Sequence, residues 1–150
     1  MYAHVLDAVD VLLPYALTVE LEEGLPAEVL MAHACLETGW LKHIPEEDGV
    51  SSKNLFGIKG DGISEYTKEY LQGKNVTVIA EFAVYPTYMD SIRAYVSLLK
   101  RKYPEVWDAR KNPEEFFKRL EASAYNTDPD FAEKALKVYV MICEVLGYGR

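Results

Sequence analysis

The residues best suited to chemistry are a glutamate, a glycine and a tryptophan at the end of an apolar segment. Glu37, Gly39 and Trp40 follow Val29-Leu30-Met31-Ala32 and Ala34-Cys35-Leu36. A helix that is apolar nearly all round is predicted to be buried, and a glutamate at its end must be paired or functional. Gly39 suits the position just after a helix, which puts Glu37 in the last turn. There, the helix dipole and the loss of water both favour the protonated carboxyl that a general acid needs.

Other roles are open to the glutamate and to the histidine before it. A structural glutamate that accepts hydrogen bonds from nearby backbone N–H groups is the alternative to an acid at Glu37. His33 precedes Glu37 by one helical turn and lies on the same face, so it can hydrogen-bond the carboxyl. For His33 we favour a histidine satisfied within the core.

A loop and a hairpin follow this helix. The stretch from Ile44 to Gly60 is predicted to be a loop, and its Asn54-to-Gly60 part is expected to fold back on the helix. The stretches 65–71 and 76–85 are predicted to be strands joined by a glycine-containing turn. Glu65 and Glu69 fall on one face of the first strand, so both are candidates for a second carboxylate. A solvent-exposed strand glutamate is the alternative.

The remaining elements are predicted to be helical. One helix covers Tyr2 to Leu13, with Pro14 opening or kinking a continuation to Glu23, and Pro26 is expected to start the Glu37 helix. Three helices follow the hairpin, and their expected starts are Thr87, Asn112 with Pro113, and Asp128 with Pro129; the last one runs to Gly147. A helical body with one small hairpin is the lysozyme-like α+β plan.

Four motifs in order resemble those of glycoside hydrolase family 73, the peptidoglycan N-acetylglucosaminidases. They are Ala32 to Leu41, Ser52 to Lys59, Thr67 to Tyr70, and Ala124-Tyr125-Asn126-Thr127-Asp128-Pro129. The match extends from about Gly24 to the C-terminal helix. It implies a mostly helical α+β, lysozyme-like fold whose small β-hairpin lobe flanks the cleft, in one catalytic domain over residues 1–150.

The resemblance also implies roles for three residues. Glu37 falls on the catalytic acid, Glu69 on the second carboxylate and Tyr125 on a tyrosine that lines the cleft. The implied reaction is cleavage of the β-1,4 bond between N-acetylglucosamine and N-acetylmuramic acid. Four positions depart from the family pattern and leave substrate preference and detailed mechanism open: His33 for Gln, Leu41 for Gly, Ala83 for Arg and Ala94 for Asp.

Two mechanisms and two other functions remain open. Glu69 could act as a general base and invert the anomeric carbon, or the 2-acetamido group of the substrate could assist with help from Tyr125. A muramidase or lytic transglycosylase would cut the other glycosidic bond, and a non-catalytic wall-binding or scaffold module would cut neither. Candidate substrate-binding residues are Trp40, Asn54, Phe56 and Tyr88, since aromatic faces suit sugar rings; for Trp40 and Phe56 we favour core packing.

The composition of the chain limits the kinds of partner that it is expected to bind. The formal net charge of the 150 residues is -8, which argues against nonspecific nucleic-acid binding, and no apolar run is long enough for a membrane span. The ligand pattern of a metal site is absent, and no cofactor is expected. We expect a monomer that acts on peptidoglycan glycan strands at the bacterial cell wall. Met1 to Ala16 lacks Lys and Arg and does not read as a signal peptide, so a released endolysin, an excised domain or specialised export is expected.

Overall fold

Two helices, a region of short strands with one long hairpin, and four further helices follow one another in the computed structural model, which describes residues 3–147. The helices are α1 (Ala3–Glu23), α2 (Ala27–Thr38), α3 (Tyr88–Lys102), α4 (Pro104–Asp108), α5 (Pro113–Ala122) and α6 (Phe131–Leu146). The strands are β1 (Glu46–Glu47), β2 (Val50–Ser51), β3 (Gly62–Leu71) and β4 (Lys74–Ala83). The mostly helical α+β class predicted from the sequence is confirmed.

The helix that carries Glu37 lies at the centre of the body. Nine of the twelve residues of α2 are buried, and the helix packs between α1 and α6. It ends as predicted, because Gly39 adopts a left-handed conformation (φ 55°) and donates its N–H to the carbonyl of Cys35. The preceding helix, α1, runs through Pro14 without interruption up to Gly24, whose φ is also positive (73°).

The hairpin formed by β3 and β4 is antiparallel and has a two-residue turn, Gln72-Gly73. Both turn residues have positive φ (51° and 77°), as the tight turns of twisted hairpins require. The strands begin earlier than predicted, and the turn is shorter than the predicted 72–75. On β4, the alternate residues Ala80 and Phe82 are buried, whereas Val84 lies beyond the strand and is exposed.

The predictions for the loop after α2 and for the start of α6 are wrong, and four helices rather than the predicted three follow the hairpin in the described part of the chain. The loop 44–60 contains the two-residue ladder of β1 with β2, and Lys59 forms an isolated bridge with Phe82. The predicted start of α6 at Asp128 is three residues early, because Asp128 instead caps a turn by accepting from the N–H of Asp130. The caps of α3 and α5 are confirmed: Thr87 accepts from the N–H of Asp90, and Asn112 from that of Glu115.

The main hydrophobic core is made by the helices and the loop after α2. Its largest fully buried side chains include Tyr95, Phe56, Phe116, Phe117, Leu30 and Met31. Phe56 stacks on Tyr95 with ring centroids 3.8 Å apart and planes 4° from parallel, which fixes the loop 52–60 against α3. The buried residues of the hairpin, Ile63, Ala80 and Phe82, lie outside this core cluster.

Candidate active site

A cleft of about 520 Å³ lies between the end of α2, the loop 52–60, the hairpin and the segment that leads into α6. Its lining includes Glu37, Asn54, Glu65, Glu69 and Tyr125. A second cavity, of about 410 Å³, lies between α1 and α3 and is lined by Glu23, Arg93 and Lys100 among others; it shares no lining residue with the first. The candidate acid, both candidate second carboxylates and the candidate tyrosine therefore meet in one cleft.

Glu37 contacts a buried histidine and is partly exposed to the cleft. Its side chain keeps 25% of its exposure, and its Oε1 lies 3.3 Å from Nε2 of His33. His33 is fully buried, and its Nδ1 lies 2.6 Å from the hydroxyl of Tyr95. One side chain thus meets both alternatives considered for this histidine, since His33 is satisfied in the core and also contacts Glu37.

The loop 52–60 passes close to Glu37 because it contains a glycine there. A Cβ on Gly57 would lie 2.9 Å from Oε2 of Glu37, and the φ of Gly57 is +64°. Only glycine suits both the conformation and the distance. Asn54 holds this loop together, because its Nδ2 donates to the carbonyls of Ile58 (2.8 Å) and Ala83 (3.0 Å). Its Oδ1 accepts from the N–H groups of Phe56 and Ile58, so the amide is fully used within the protein.

Glu69 is held by polar groups at the cleft. Its Oε1 lies 3.0 Å from Nζ of Lys59, and its Oε2 accepts from the hydroxyl of Thr127 at 2.9 Å. The same hydroxyl accepts from the N–H of Tyr70, which ties the hairpin to the segment before α6. The side chain of Glu69 is 22% exposed, so it is not a freely solvated strand residue.

Glu65 reaches the same cleft with a different partner. It lies on the same face of β3 as Glu69, as the alternation predicted, and its Oε1 accepts from the N–H of Glu46 at 3.1 Å. No lysine or arginine of residues 3–147 forms an ion pair with it. The two glutamates are therefore distinguished by Lys59, which pairs with Glu69 alone.

Tyr125 lies in the segment before α6 and is half-buried. Its hydroxyl donates to the carbonyl of Phe56 at 2.7 Å, which joins this segment to the loop that carries Gly57. Burial, and then the nearby Tyr95 and Glu37, raise the pKa of the Tyr125 phenol well above its ordinary value. The phenol therefore keeps its proton and its hydrogen bond throughout the neutral range.

Three of the predicted substrate-binding residues are not among the residues that line the cleft. Trp40 has a left-handed backbone (φ 62°) and packs edge-on against His4, with ring centroids 5.2 Å apart. Phe56 is fully buried on Tyr95, and Tyr88 lies at the start of α3 beneath Nζ of Lys53, 4.9 Å from the ring centroid. Of the four, only Asn54 lines the cleft.

Two partners in the site were missed by sequence reasoning. Tyr95 of α3 is fully buried, and its hydroxyl meets His33. Thr127 belongs to a quoted motif, but nothing in the sequence links it to Glu69, which is 58 residues away. A polar tip on a buried tyrosine is the signal that could have indicated the first of these contacts.

Residues 3–147 contain no group of three or more His, Cys, Asp or Glu side chains arranged to hold a metal ion. Among the same residues, no helix is both long enough and apolar enough to cross a membrane.

A mostly helical body with carboxylates from a helix and from a hairpin in one cleft defines a lysozyme-like glycoside hydrolase domain. The family model described as mannosyl-glycoprotein endo-beta-N-acetylglucosaminidase matches residues 13–143. The chain belongs to this glucosaminidase family of glycoside hydrolases, as the motifs predicted.

Named relatives agree with this assignment. Peptidoglycan hydrolase FlgJ of Pseudomonas aeruginosa is 40% identical over 147 residues, which cover 92% of this chain and 37% of that protein. Exo-glucosaminidase LytG of Bacillus subtilis is 33% identical over 117 residues, which cover 71% of this chain and 40% of that protein. The chain thus spans less than half the length of these relatives.

Solved structures share the fold over almost the whole chain. A crystal structure of a mutant peptidoglycan hydrolase from Sphingomonas sp. A1 has a TM-score of 0.83 and 30% identity, covering 95% of this chain and 99% of that one. A C-terminally truncated glycoside hydrolase domain of Salmonella typhimurium FlgJ has a TM-score of 0.71 and 29% identity, covering 92% and 97%.

Proposed function

We propose that this domain hydrolyses peptidoglycan at the β-1,4 bond between N-acetylglucosamine and N-acetylmuramic acid. The observation that carries the proposal is the position of Glu37, a carboxyl at the end of a buried helix that opens into a cleft with a second carboxylate. Membership of the glucosaminidase family and similarity to FlgJ and LytG support the choice of bond.

Glu37 is the general acid in this proposal. Protonation of the glycosidic oxygen by a carboxylic acid is the step that lets the bond to the anomeric carbon break. His33 occupies the inner oxygen of Glu37, and the other oxygen faces the loop at Gly57. The proton delivered to the leaving oxygen is therefore assigned to Oε2.

Glu69 is the second carboxylate in this proposal, and its contacts with Lys59 and Thr127 hold it at the cleft. Each oxygen of a carboxylate has two lone pairs, so the contacts with Lys59 and Thr127 leave one lone pair on each for an attacking water. A general base at this position inverts the anomeric carbon. If the 2-acetamido group of the substrate assists instead, Glu69 acts only through its charge and Tyr125 helps to shape the site, and the configuration is retained.

The proposed setting is the bacterial cell wall, where the domain acts as a monomer on glycan strands. Among the candidate contacts to sugar rings, we retain Asn54 as a residue that shapes the cleft. Trp40, Phe56 and Tyr88 are assigned to packing, given their neighbours in the structure.

The test is a digest of purified peptidoglycan by the wild type and by Glu37→Gln. The products are reduced with borohydride and identified by mass spectrometry. Reduced N-acetylglucosamine ends that appear with the wild type and are lost in Glu37→Gln are the expected result.

Other products would change the assignment in defined ways. Reduced or anhydro-muramic ends would indicate a muramidase or a lytic transglycosylase. Retained wall binding with no new ends from several kinds of wall would indicate a non-catalytic module. Size-exclusion chromatography with light scattering tests the monomer, and a dimer would contradict it.

A further inference from the structure

We propose that His33 is a positioning residue for Glu37, and that Tyr95 sets the proton arrangement through which His33 acts. This inference rests on the proposed role of Glu37 as the acid. His33 stands where the family motif commonly has glutamine, so this arrangement of a histidine between Glu37 and Tyr95 is not set by the motif.

The imidazole ring of His33 is held in one position by the side chains around it. His33 is fully buried, and aromatic rings surround it: the centroids of Tyr95 and Tyr125 lie 5.2 Å away, that of Phe131 5.3 Å and that of Phe56 5.7 Å. The rings come from α3, α6 and the two loops of the cleft. A side chain packed on all sides by aromatic rings holds one rotamer, and so it fixes the group to which it is hydrogen-bonded.

The partners of His33 determine which of its two ring nitrogens carries the proton. After Glu37 has given up its proton it can only accept, so Nε2 of His33 must donate to Oε1 at that stage. In the neutral imidazole, Nδ1 is then unprotonated and accepts from the hydroxyl of Tyr95. Burial raises the pKa of the Tyr95 phenol well above its ordinary value, so the donor on this side persists. The tautomer with the proton on Nε2 can therefore donate a hydrogen bond to Glu37 both before and after the carboxyl has given up its proton.

The tautomer of His33 determines which oxygen of Glu37 carries the carboxyl proton. The tautomer with the proton on Nδ1 would leave Nε2 as an acceptor, and the carboxyl proton of Glu37 would turn inward to Oε1 and the histidine. With the proton on Nε2, the carboxyl proton is kept on Oε2, the oxygen beside Gly57. No bond is made or broken at His33; the only proton that moves is that of Glu37, which passes to the glycosidic oxygen.

Three substitutions test this proposal with a soluble peptidoglycan glycan oligomer as substrate, each enzyme being measured at its own pH optimum. His33→Leu removes the donor and keeps a similar volume, and we expect kcat to fall by about 10²-fold while KM stays within about twofold. His33→Gln restores an N–H donor and is expected to recover most of kcat. Tyr95→Phe keeps the stacking on Phe56 and removes only the hydroxyl, and we expect kcat to fall by about tenfold or less.

A matched control separates positioning from loss of stability. Leu30 is a fully buried residue of α2, and Leu30→Val is expected to lower Tm without changing kcat. The proposal is overturned if His33→Leu keeps kcat within about twofold, if His33→Gln is as slow as His33→Leu although folded, or if the substitutions raise KM and leave kcat unchanged. Should His33→Leu fail to fold, His33→Gln and Tyr95→Phe carry the test.

Failure of this inference can be told apart from failure of the proposed function. If Glu37→Gln retains turnover, the acid itself is misassigned and the proposed function falls. If Glu37→Gln is inactive while His33→Leu is as fast as the wild type, the acid stands and only the positioning role of His33 falls.

Discussion

Glu37 and Glu69 line the same cleft, but they belong to regions that are held in different ways. Glu37 lies on a helix most of whose residues are buried, and its hydrogen-bond partner His33 is fully enclosed by aromatic rings. Glu69 lies on a hairpin whose buried residues are few and lie outside the main core cluster. Its partners are a lysine and a threonine that are themselves exposed.

The difference indicates how each carboxylate is tuned. Contacts among buried groups are strong and costly to disturb, because a partner left unsatisfied cannot turn to water. Contacts among exposed groups are worth less, since water and salt compete for them. Substitutions around Glu37 should therefore change activity and stability together, whereas substitutions around Glu69 should change activity with little effect on the fold.

The largest expected effect is that of Glu37→Gln. Removing the proton donor should lower turnover by about 10³-fold or more, which lies in the range of general-acid catalysis. Glutamine keeps the shape of the side chain and a polar group opposite His33, so Tm should change by only a few degrees. Turnover on glycan oligomers and thermal unfolding measure the two quantities. If Glu37→Gln unfolds, Glu37 is a structural residue, and the contrast between the regions around Glu37 and Glu69 no longer holds.

The next effect is that of Glu69→Gln, with Glu65→Gln as its matched control on the same face of β3. A general base at Glu69 predicts a loss of about 10²-fold, with Tm unchanged. Glu65 lacks an ion-pair partner among residues 3–147, and its substitution should leave the rate within about twofold.

Product stereochemistry sharpens that experiment. The first-formed anomer, followed by ¹H NMR, should be inverted if Glu69 activates the water. A retained anomer together with a rate near the wild type for Glu69→Gln would favour assistance by the 2-acetamido group of the substrate. A large loss for Glu65→Gln instead would exchange the roles of the two glutamates.

A smaller effect is expected where the loop meets the helix, at Gly57. Gly57 and Gly73 both have positive φ, but only Gly57 has another group, Oε2 of Glu37, within 4 Å of an added Cβ. Alanine at either position should cost about 1–2 kcal/mol of stability for the left-handed conformation. Gly57→Ala should also lower kcat by about tenfold by displacing the acid, whereas Gly73→Ala should not. Equal kcat values for the two variants would mean that the loop yields and Glu37 stays in place.

Local sequence signals were sufficient for most of the elements. Thr87, Asn112 and Gly39 cap or end helices as their residue types predict, and the alternation on β3 placed Glu65 and Glu69 on one face. The five-residue helix α4 was not predicted, because so short a segment has no hydrophobic period to detect. The ladder of β1 with β2 was missed for the same reason, since each strand has only two residues.

The site was predictable only where its contacts are local. His33 and Glu37 are four residues apart on a helix, so their contact follows from helical spacing. Tyr95 lies 62 residues from His33, and Thr127 lies 58 residues from Glu69, so these contacts depend on how the elements pack. Packing between elements also determines where the aromatic side chains lie. Phe56 is stacked in the core and Trp40 faces His4, although both belong to motifs that flank the cleft.

The smallest effect is expected at the link between the hairpin and the segment before α6. Thr127→Val removes the donor to Glu69 and the acceptor for the N–H of Tyr70, while Thr127→Ser keeps both. Because these groups are exposed, water can replace the hydroxyl, and we expect kcat to fall by about threefold with less than about 1 kcal/mol lost in stability.

The same substitution can break the comparison between the two regions. A loss of more than about tenfold in Thr127→Val, restored in Thr127→Ser, would mean that one exposed hydroxyl holds Glu69 as firmly as the buried histidine holds Glu37. The hairpin would then be an organised wall of the cleft that depends on this link. If Thr127→Val instead loses about threefold in kcat and added salt does not change that loss, the ion pair with Lys59 is not what positions Glu69, because this half-exposed pair weakens with salt. The position of Glu69 would then be set by the hairpin backbone.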